Sequence, residues 1–121
     1  MKQLLFVFIG GGLGSVIRYL IGKFLNNYGN GIPYGTFLAN ILGSLLIGII
    51  LGLAAKNDNL SQNQTLLLAT GFCGGFTTFS TFAYENHMFL KSGDFTSFAI
   101  YTIASFIVAV LAVFFGMYLM K

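Results

Sequence analysis

TGFCGGFTTFSTFAYE, running from Thr70 to Glu85, decides how the rest of the chain is read. It lies inside the third of four apolar segments, yet it is poorly suited to a continuous membrane helix. Gly71, Gly74 and Gly75 cluster, and then Thr77, Thr78, Ser80 and Thr81 interleave with Phe79 and Phe82. A lone hydroxyl in a helix can bond back to its own backbone. A glycine pair that runs straight into a hydroxyl cluster instead predicts a helix interrupted near mid-bilayer. Backbone groups freed there must be satisfied by protein, ion or water.

Composition sets the frame around that stretch. Of 121 residues, 56% are hydrophobic and only 7% are charged, which indicates an integral membrane protein. A hydrocarbon core of about 30 Å takes about 20 apolar residues per helix, so four spans consume most of the chain. The expectation is one all-α transmembrane domain over residues 1–121, with spans near 4–25, 34–55, 65–90 and 95–120. The start, Met1-Lys2-Gln3, resembles a signal peptide, but the apolar run is long, lacks a small-x-small cleavage site and precedes three more spans. It reads as a retained first helix. Cys73 is the only cysteine, so no intramolecular disulfide is expected. The net charge of +3 is scattered over separate loops and makes no nucleic-acid footprint.

The first span carries Gly10, Gly11, Gly12, Gly14, Ser15 and Gly22, and the Gly10/Gly14 pair permits close backbone approach. Arg18 shares a face with Gly11, Gly14, Ser15 and Gly22. An arginine near a span's end can snorkel to the headgroups. Its small-residue face points instead to protein or a watery vestibule. The stretch NNYGNGIP, 26–33, is a turn cluster whose Pro33 immediately precedes the second span. In that span Asn40, Ser44, Gly48 and Gly52 recur every four residues. Asn40 reads either as interhelical glue, the commoner use of a membrane asparagine, or as a pore-lining donor. Residues 56–64, KNDNLSQNQ, form a polar surface loop.

Beyond the expected break, Phe79, Phe82 and Asn86 share one face, and Thr78, Thr81 and Glu85 the next. Phenylalanines at this spacing ordinarily serve packing or lipid contact. Glu85 is the only acid inside a span, and His87 is expected near the interface. Residues 91–94, KSGD, are a short turn. The last span places Ser97, Tyr101 and Ser105 on one line, continued by Ala109. Such a line is either glue or a track for something polar.

No repeat relates the halves, and four helices make few walls for a solute path, so oligomerisation is expected. Lys2, Lys56 and Lys121 fall on one side of the membrane and Lys23 and Lys91 on the other, with Arg18 possible on that second side. Orientation normally follows a lysine and arginine excess, and here there is almost none. The tie predicts insertion both ways and antiparallel dimers. One histidine, one cysteine and three acids supply no triad, carboxylate pair or metal-ligand cluster, so no enzyme is expected. What remains is a path lined by uncharged donors and aromatic edges. Ring hydrogens carry the positive end of the aromatic quadrupole, so such a path suits a small anion. Many modest donors replace hydration without forming a cationic trap that binds and does not release.

Three motifs together carry a family resemblance: Gly11, Gly12, Ser15, Arg18 and Tyr19; PYGTFLAN over 33–40; and GFCGGFTTFSTF over 71–82. They resemble the Fluc (CrcB) family of fluoride channels in order and spacing across all four spans. The resemblance implies a dual-topology antiparallel homodimer with two fluoride pores, and a short polytopic chain without a targeting peptide fits a bacterial inner membrane. It implies that Phe79 and Phe82 present ring edges to fluoride, with Asn40 beside them and Thr81, Tyr101 and Ser105 as a polar track. Ala109 stands where the track usually continues with a hydroxyl. It further implies a structural Na+ at the dimer interface, held by the backbone carbonyls of Gly74 and Thr77, and a vestibule arginine at Arg18. Glu85 matches a family position without an assigned role. A small proton-coupled multidrug exporter is the competing four-helix reading. It requires a carboxylate in the first span, where this chain has Arg18 and no acid.

Overall fold

A computed structural model describes residues 1–26, 31–56 and 60–121. The turn cluster at 26–33 and the polar loop at 56–64 therefore lie partly outside the described residues. Helix α1 is Lys2–Leu25 and α2 is Tyr34–Ala55. Helix α3, residues 62–76, begins as an α-turn at Gln62–Thr65, continues as a π-helix over Leu66–Cys73 and closes with Gly74–Phe76. Thr77 and Thr78 are extended, and helix α4, Phe79–Ser92, then restarts the chain's path. Helix α5 is Phe95–Leu119. No strand occurs among the described residues.

Among the described residues four stretches are long and apolar enough to cross a membrane: Lys2–Leu25, Tyr34–Ala55, Gln62–Ser92 and Phe95–Leu119. The third is the least apolar, with mean hydropathy 1.3 against 1.9 to 2.5 for the others, and it is also the most sheltered by protein. Both properties follow from the hydroxyl cluster, because polar groups and open backbone need protein or water around them.

Local chemistry explains the ends of the broken span. Ser61 caps α3 by accepting the Gln64 amide, and Gln64 returns the favour to the Ser61 amide, a reciprocal capping box. Thr78 caps α4 by accepting the Thr81 amide. Gly93 ends α4 in a left-handed conformation with φ 82°, which glycine adopts without steric penalty. Asp94 then caps α5 through the Ser97 amide.

Two seams hold the bundle. Helix α1 packs on α3 backbone to backbone: a Cβ on Gly14 would overlap the Phe72 carbonyl, and one on Gly75 would overlap the Gly11 carbonyl. Helix α2 packs on α5 the same way, with Gly48 against the Val113 carbonyl and Gly116 against the Leu45 carbonyl. Small residues let helices approach closely where lipid offers no hydrophobic drive to association. The four-spaced stripe of α2 thus divides its work. Gly48 and Gly52 meet α5, Gly43 meets Thr77, and Asn40 reaches Thr78. The Ser44 hydroxyl donates back to the Asn40 carbonyl (2.7 Å).

Candidate functional site

The break is held open by side chains. Asn40 brackets Thr78: its Oδ1 accepts the Thr78 amide (2.7 Å) and its Nδ2 donates to the Thr78 carbonyl (3.1 Å). That is the geometry a strand neighbour would offer, supplied by one amide side chain. On the other side, Arg18 Nε donates to the Gly75 carbonyl at 3.0 Å, with the Ser15 hydroxyl at a longer 3.4 Å. Thr77 closes the end of α3, its amide (3.0 Å) and hydroxyl (2.9 Å) both donating to the Cys73 carbonyl. Asn40 and Arg18 therefore both act on the backbone of the break: for Asn40 this is a tie between helices, the commoner use its spacing suggested, while spacing gave Arg18 no such partner.

Two hollows meet at this joint, and Thr78 and its bracket stand between them. A groove of about 470 Å³ runs along Asn40, Thr77, Phe79, Phe82, Ser105 and Ala109, with no charged residue among its described lining. A second hollow, about 280 Å³, is lined by Arg18, Lys23, Asn26, Thr36 and Thr81 and shares Thr78 with the groove. The groove is neutral and aromatic, whereas the second hollow is cationic.

The two phenylalanines have different surroundings. Phe82 is 6% exposed and Phe79 is 69% exposed, although their rings lie 5.7 Å apart. Phe82 is gripped by Tyr101 at 5.0 Å and by the edge of Phe106 at 5.9 Å. Its T-shaped contact is a favoured aromatic geometry. Phe79 lies on the open side of the groove.

The three hydroxyls of the expected track are not alike either. Ser105 is buried, and its hydroxyl has no hydrogen-bond partner among the described residues. Tyr101 is almost fully buried and donates its hydroxyl to Glu85 Oε1 at 2.7 Å. Thr81 lines the cationic hollow, away from Ser105. Ala109 lines the groove beyond Ser105 with a methyl group.

Glu85 is 3% exposed, and its second oxygen, Oε2, accepts the Thr36 hydroxyl at 2.7 Å. Thr36 is in turn fixed by Asn26, which donates to its hydroxyl (3.1 Å) and accepts its amide (3.0 Å). A buried carboxylate requires such donors. The chain Asn26–Thr36–Glu85–Tyr101 links the wall of the cationic hollow to the ring packed on Phe82. Sequence reading missed Thr36 and Asn26. Thr36 lies one helical turn before Asn40, inside the second motif, and that spacing was the available signal. His87 is exposed on α4 and joins none of this.

Gly74 is exposed, and nothing lies within 4 Å of where a Cβ would stand. Its carbonyl would normally receive the Thr78 amide and that of Thr77 the Thr81 amide, four residues on. Those amides go instead to Asn40 Oδ1 and Thr78 Oγ1.

Comparison with known proteins assigns the chain. The family described as CrcB-like protein, Camphor Resistance (CrcB), matches residues 5–117. A relative from Gloeothece citriformis, named fluoride-specific ion channel FluC, is 48% identical over all of this chain and 98% of its own length. Proteins of the same name from Phocaeicola vulgatus and Leptospira interrogans are 44% and 41% identical, covering 98% and 99% of this chain and 98% and 95% of their own. With likeness running end to end through all four apolar helices, the chain belongs to the CrcB family of membrane proteins.

Proposed function

We propose that the protein is a multi-pass fluoride channel of the bacterial inner membrane, not an enzyme, and that it relieves fluoride toxicity by passive export. The observation that carries this is the groove at the break, which offers an amide, hydroxyls and phenylalanine edges and no fixed charge among its described lining. Such a surface replaces an anion's hydration with modest donors and still lets the ion leave. The unpartnered Ser105 hydroxyl and the open Phe79 ring supply donors not spent on the fold. In this reading fluoride gathers in the hollow of Arg18 and Lys23, passes Thr81 and the Asn40–Thr78 joint, and moves along Phe79, Phe82 and Ser105. Tyr101 contributes by holding Phe82. An inside-negative potential drives an anion outward by about 2.3 kcal/mol per charge per 100 mV. An open, selective pore therefore needs no ATP and no coupled proton. The names of the relatives favour this over a proton-coupled drug exporter.

The assembly proposed is an antiparallel homodimer of single four-span domains, with the break near mid-membrane and two pores, each completed by both protomers. The near tie of loop charges supports insertion both ways. The open groove and the exposed Phe79 support a second copy as its cover. The carbonyls of Gly74 and Thr77 suit a Na+ ion at the centre of that dimer, because their helical donors are engaged elsewhere. A bound sodium would supply positive charge to backbone oxygens that lipid leaves unsatisfied.

The test is fluoride efflux from liposomes, read with a fluoride electrode beside a chloride control. Wild-type protein should release fluoride and retain chloride. Phe79→Ile combined with Phe82→Ile should abolish the flux while the dimer remains folded. Normal flux in that double variant would defeat the pore assignment.

A further inference from the structure

Among the carbonyls at the break, closure is selective. That of Cys73 receives the amide and hydroxyl of Thr77. That of Gly75 receives Arg18 Nε at 3.0 Å, the shorter bond, and the Ser15 hydroxyl at 3.4 Å. Those of Gly74 and Thr77 lose their helical donors to Asn40 and Thr78. Arg18 arrives from α1 on a face whose glycines allow the helices to touch, so the guanidinium reaches the end of α3 without a gap. A cation at a helix C-terminus is also favoured by the helix dipole.

We propose that Arg18 is a positioning residue for the cation site: by occupying the Gly75 carbonyl it fixes the peptide planes at the end of α3, leaving the neighbouring Gly74 carbonyl turned out for sodium. This deepens the sodium reading above and rests on it. It differs from a role as charge attractor at the mouth of the cationic hollow, because it depends on one directed N–H donor and not on charge. The two roles separate chemically. Lysine keeps the charge but is a compact ammonium on a flexible stem, without the planar guanidinium that aims Nε at the carbonyl. Glutamine removes the charge, which would otherwise repel a nearby sodium.

The experiment titrates sodium against N-methyl-D-glucamine at constant ionic strength and follows the thermal unfolding midpoint of the purified wild-type, Arg18→Lys and Arg18→Gln proteins. Wild type should be stabilised by sodium. Arg18→Lys should need about tenfold more sodium for half the effect, the scale of one lost charge-assisted hydrogen bond. An unchanged half-point in Arg18→Lys would overturn the proposal, as would tighter sodium binding in Arg18→Gln with Arg18→Lys unchanged. If wild type itself ignores sodium, the sodium reading fails and this inference falls with it. Should the lysine variant not assemble, wild-type protein labelled with 15N-arginine and 13C-carbonyl glycine answers in bilayers. A solid-state NMR correlation between Arg18 Nε and the Gly75 carbonyl is expected, and its absence would overturn the proposal.

Discussion

The two halves of the broken span are held by opposite means. Residues 62–76 lie against α1 through bare backbone, with Gly71 on Gly10, Gly75 on Gly11 and the Phe72 carbonyl on Gly14. Residues 79–92 are held by side chains: Glu85 to Thr36 and Tyr101, and Phe82 to Tyr101 and Phe106. At that seam the first half is fixed by shape, which tolerates no added atom at Gly10, Gly14 or Gly75, with Arg18 and Ser15 adding bonds only at the Gly75 carbonyl. The second half is fixed by directed bonds and ring contacts, which tolerate conservative change in proportion to what is lost. The extended Thr77–Thr78 joint lies between them and takes its bracket, Asn40, from α2.

The largest effect should come from the shape-fixed seam. Gly14→Leu would drive a side chain into the Phe72 backbone, which can move only if the whole seam opens, so little folded protein should be recovered by size-exclusion chromatography. Gly12→Ala, where nothing lies within 4 Å, should behave as wild type. Equal recovery of both variants would break the contrast between the halves.

On the bond-fixed side, Phe82→Ala should destabilise by about 3 kcal/mol, the range for emptying a buried aromatic site. Phe79→Ala should change the protomer's stability far less, since that ring is 69% exposed. Denaturation of both variants in detergent checks this: a loss from Phe79→Ala that grows with protein concentration would report the cover the proposed second copy gives the ring, and a concentration-independent loss as large as that of Phe82→Ala would break the contrast. Glu85→Gln follows with about 1–3 kcal/mol, because one amide oxygen cannot replace two carboxylate oxygens each accepting at 2.7 Å. Combining it with Tyr101→Phe should cost less than the sum of the two single changes.

The smallest effect lies at the turn between α4 and α5. Hydrogen bonds from the Ser97 side chain and amide hold the Asp94 carboxyl below the usual aspartate range. A depressed folded pKa means stabilisation that is present above the unfolded value, about 3.9, and lost as pH falls through the folded one. Asp94→Asn keeps a capping side chain and removes that titration. The difference in Tm between wild type and this variant should therefore shrink or reverse on acidification below about pH 4. A pH-independent difference would show that Asp94 acts only as a neutral cap.

Much of the fold was legible in the chain because membrane helices announce themselves by length and apolarity, and four such stretches are present. The interruption was legible too, since a glycine pair running into a hydroxyl cluster is a weak place for a helix in lipid, although Gly74 and Gly75 stay helical and the break itself falls at Thr77 and Thr78. The π-helix at Leu66–Cys73 was not, because nothing in an apolar run separates a π-turn from an α-turn. Nor did spacing separate Phe79 from Phe82: both share a helix face, and the rings of Tyr101 and Phe106 are packed on Phe82.

The sequence by itself determined the medium, the number of spans, the presence of an interruption in the third and the family. Each of those depends on residue types within one stretch or on likeness along the whole chain. Tertiary structure decided what holds the break and the buried acid. Asn40 reaches Thr78 across 38 residues, Glu85 reaches Thr36 across 49, and Arg18 reaches Gly75 across 57. Periodicity tells which face of a helix a side chain occupies, but the partner on that face is set by how the helices cross. Here bare glycine backbones bring α1 onto α3 and α2 onto α5.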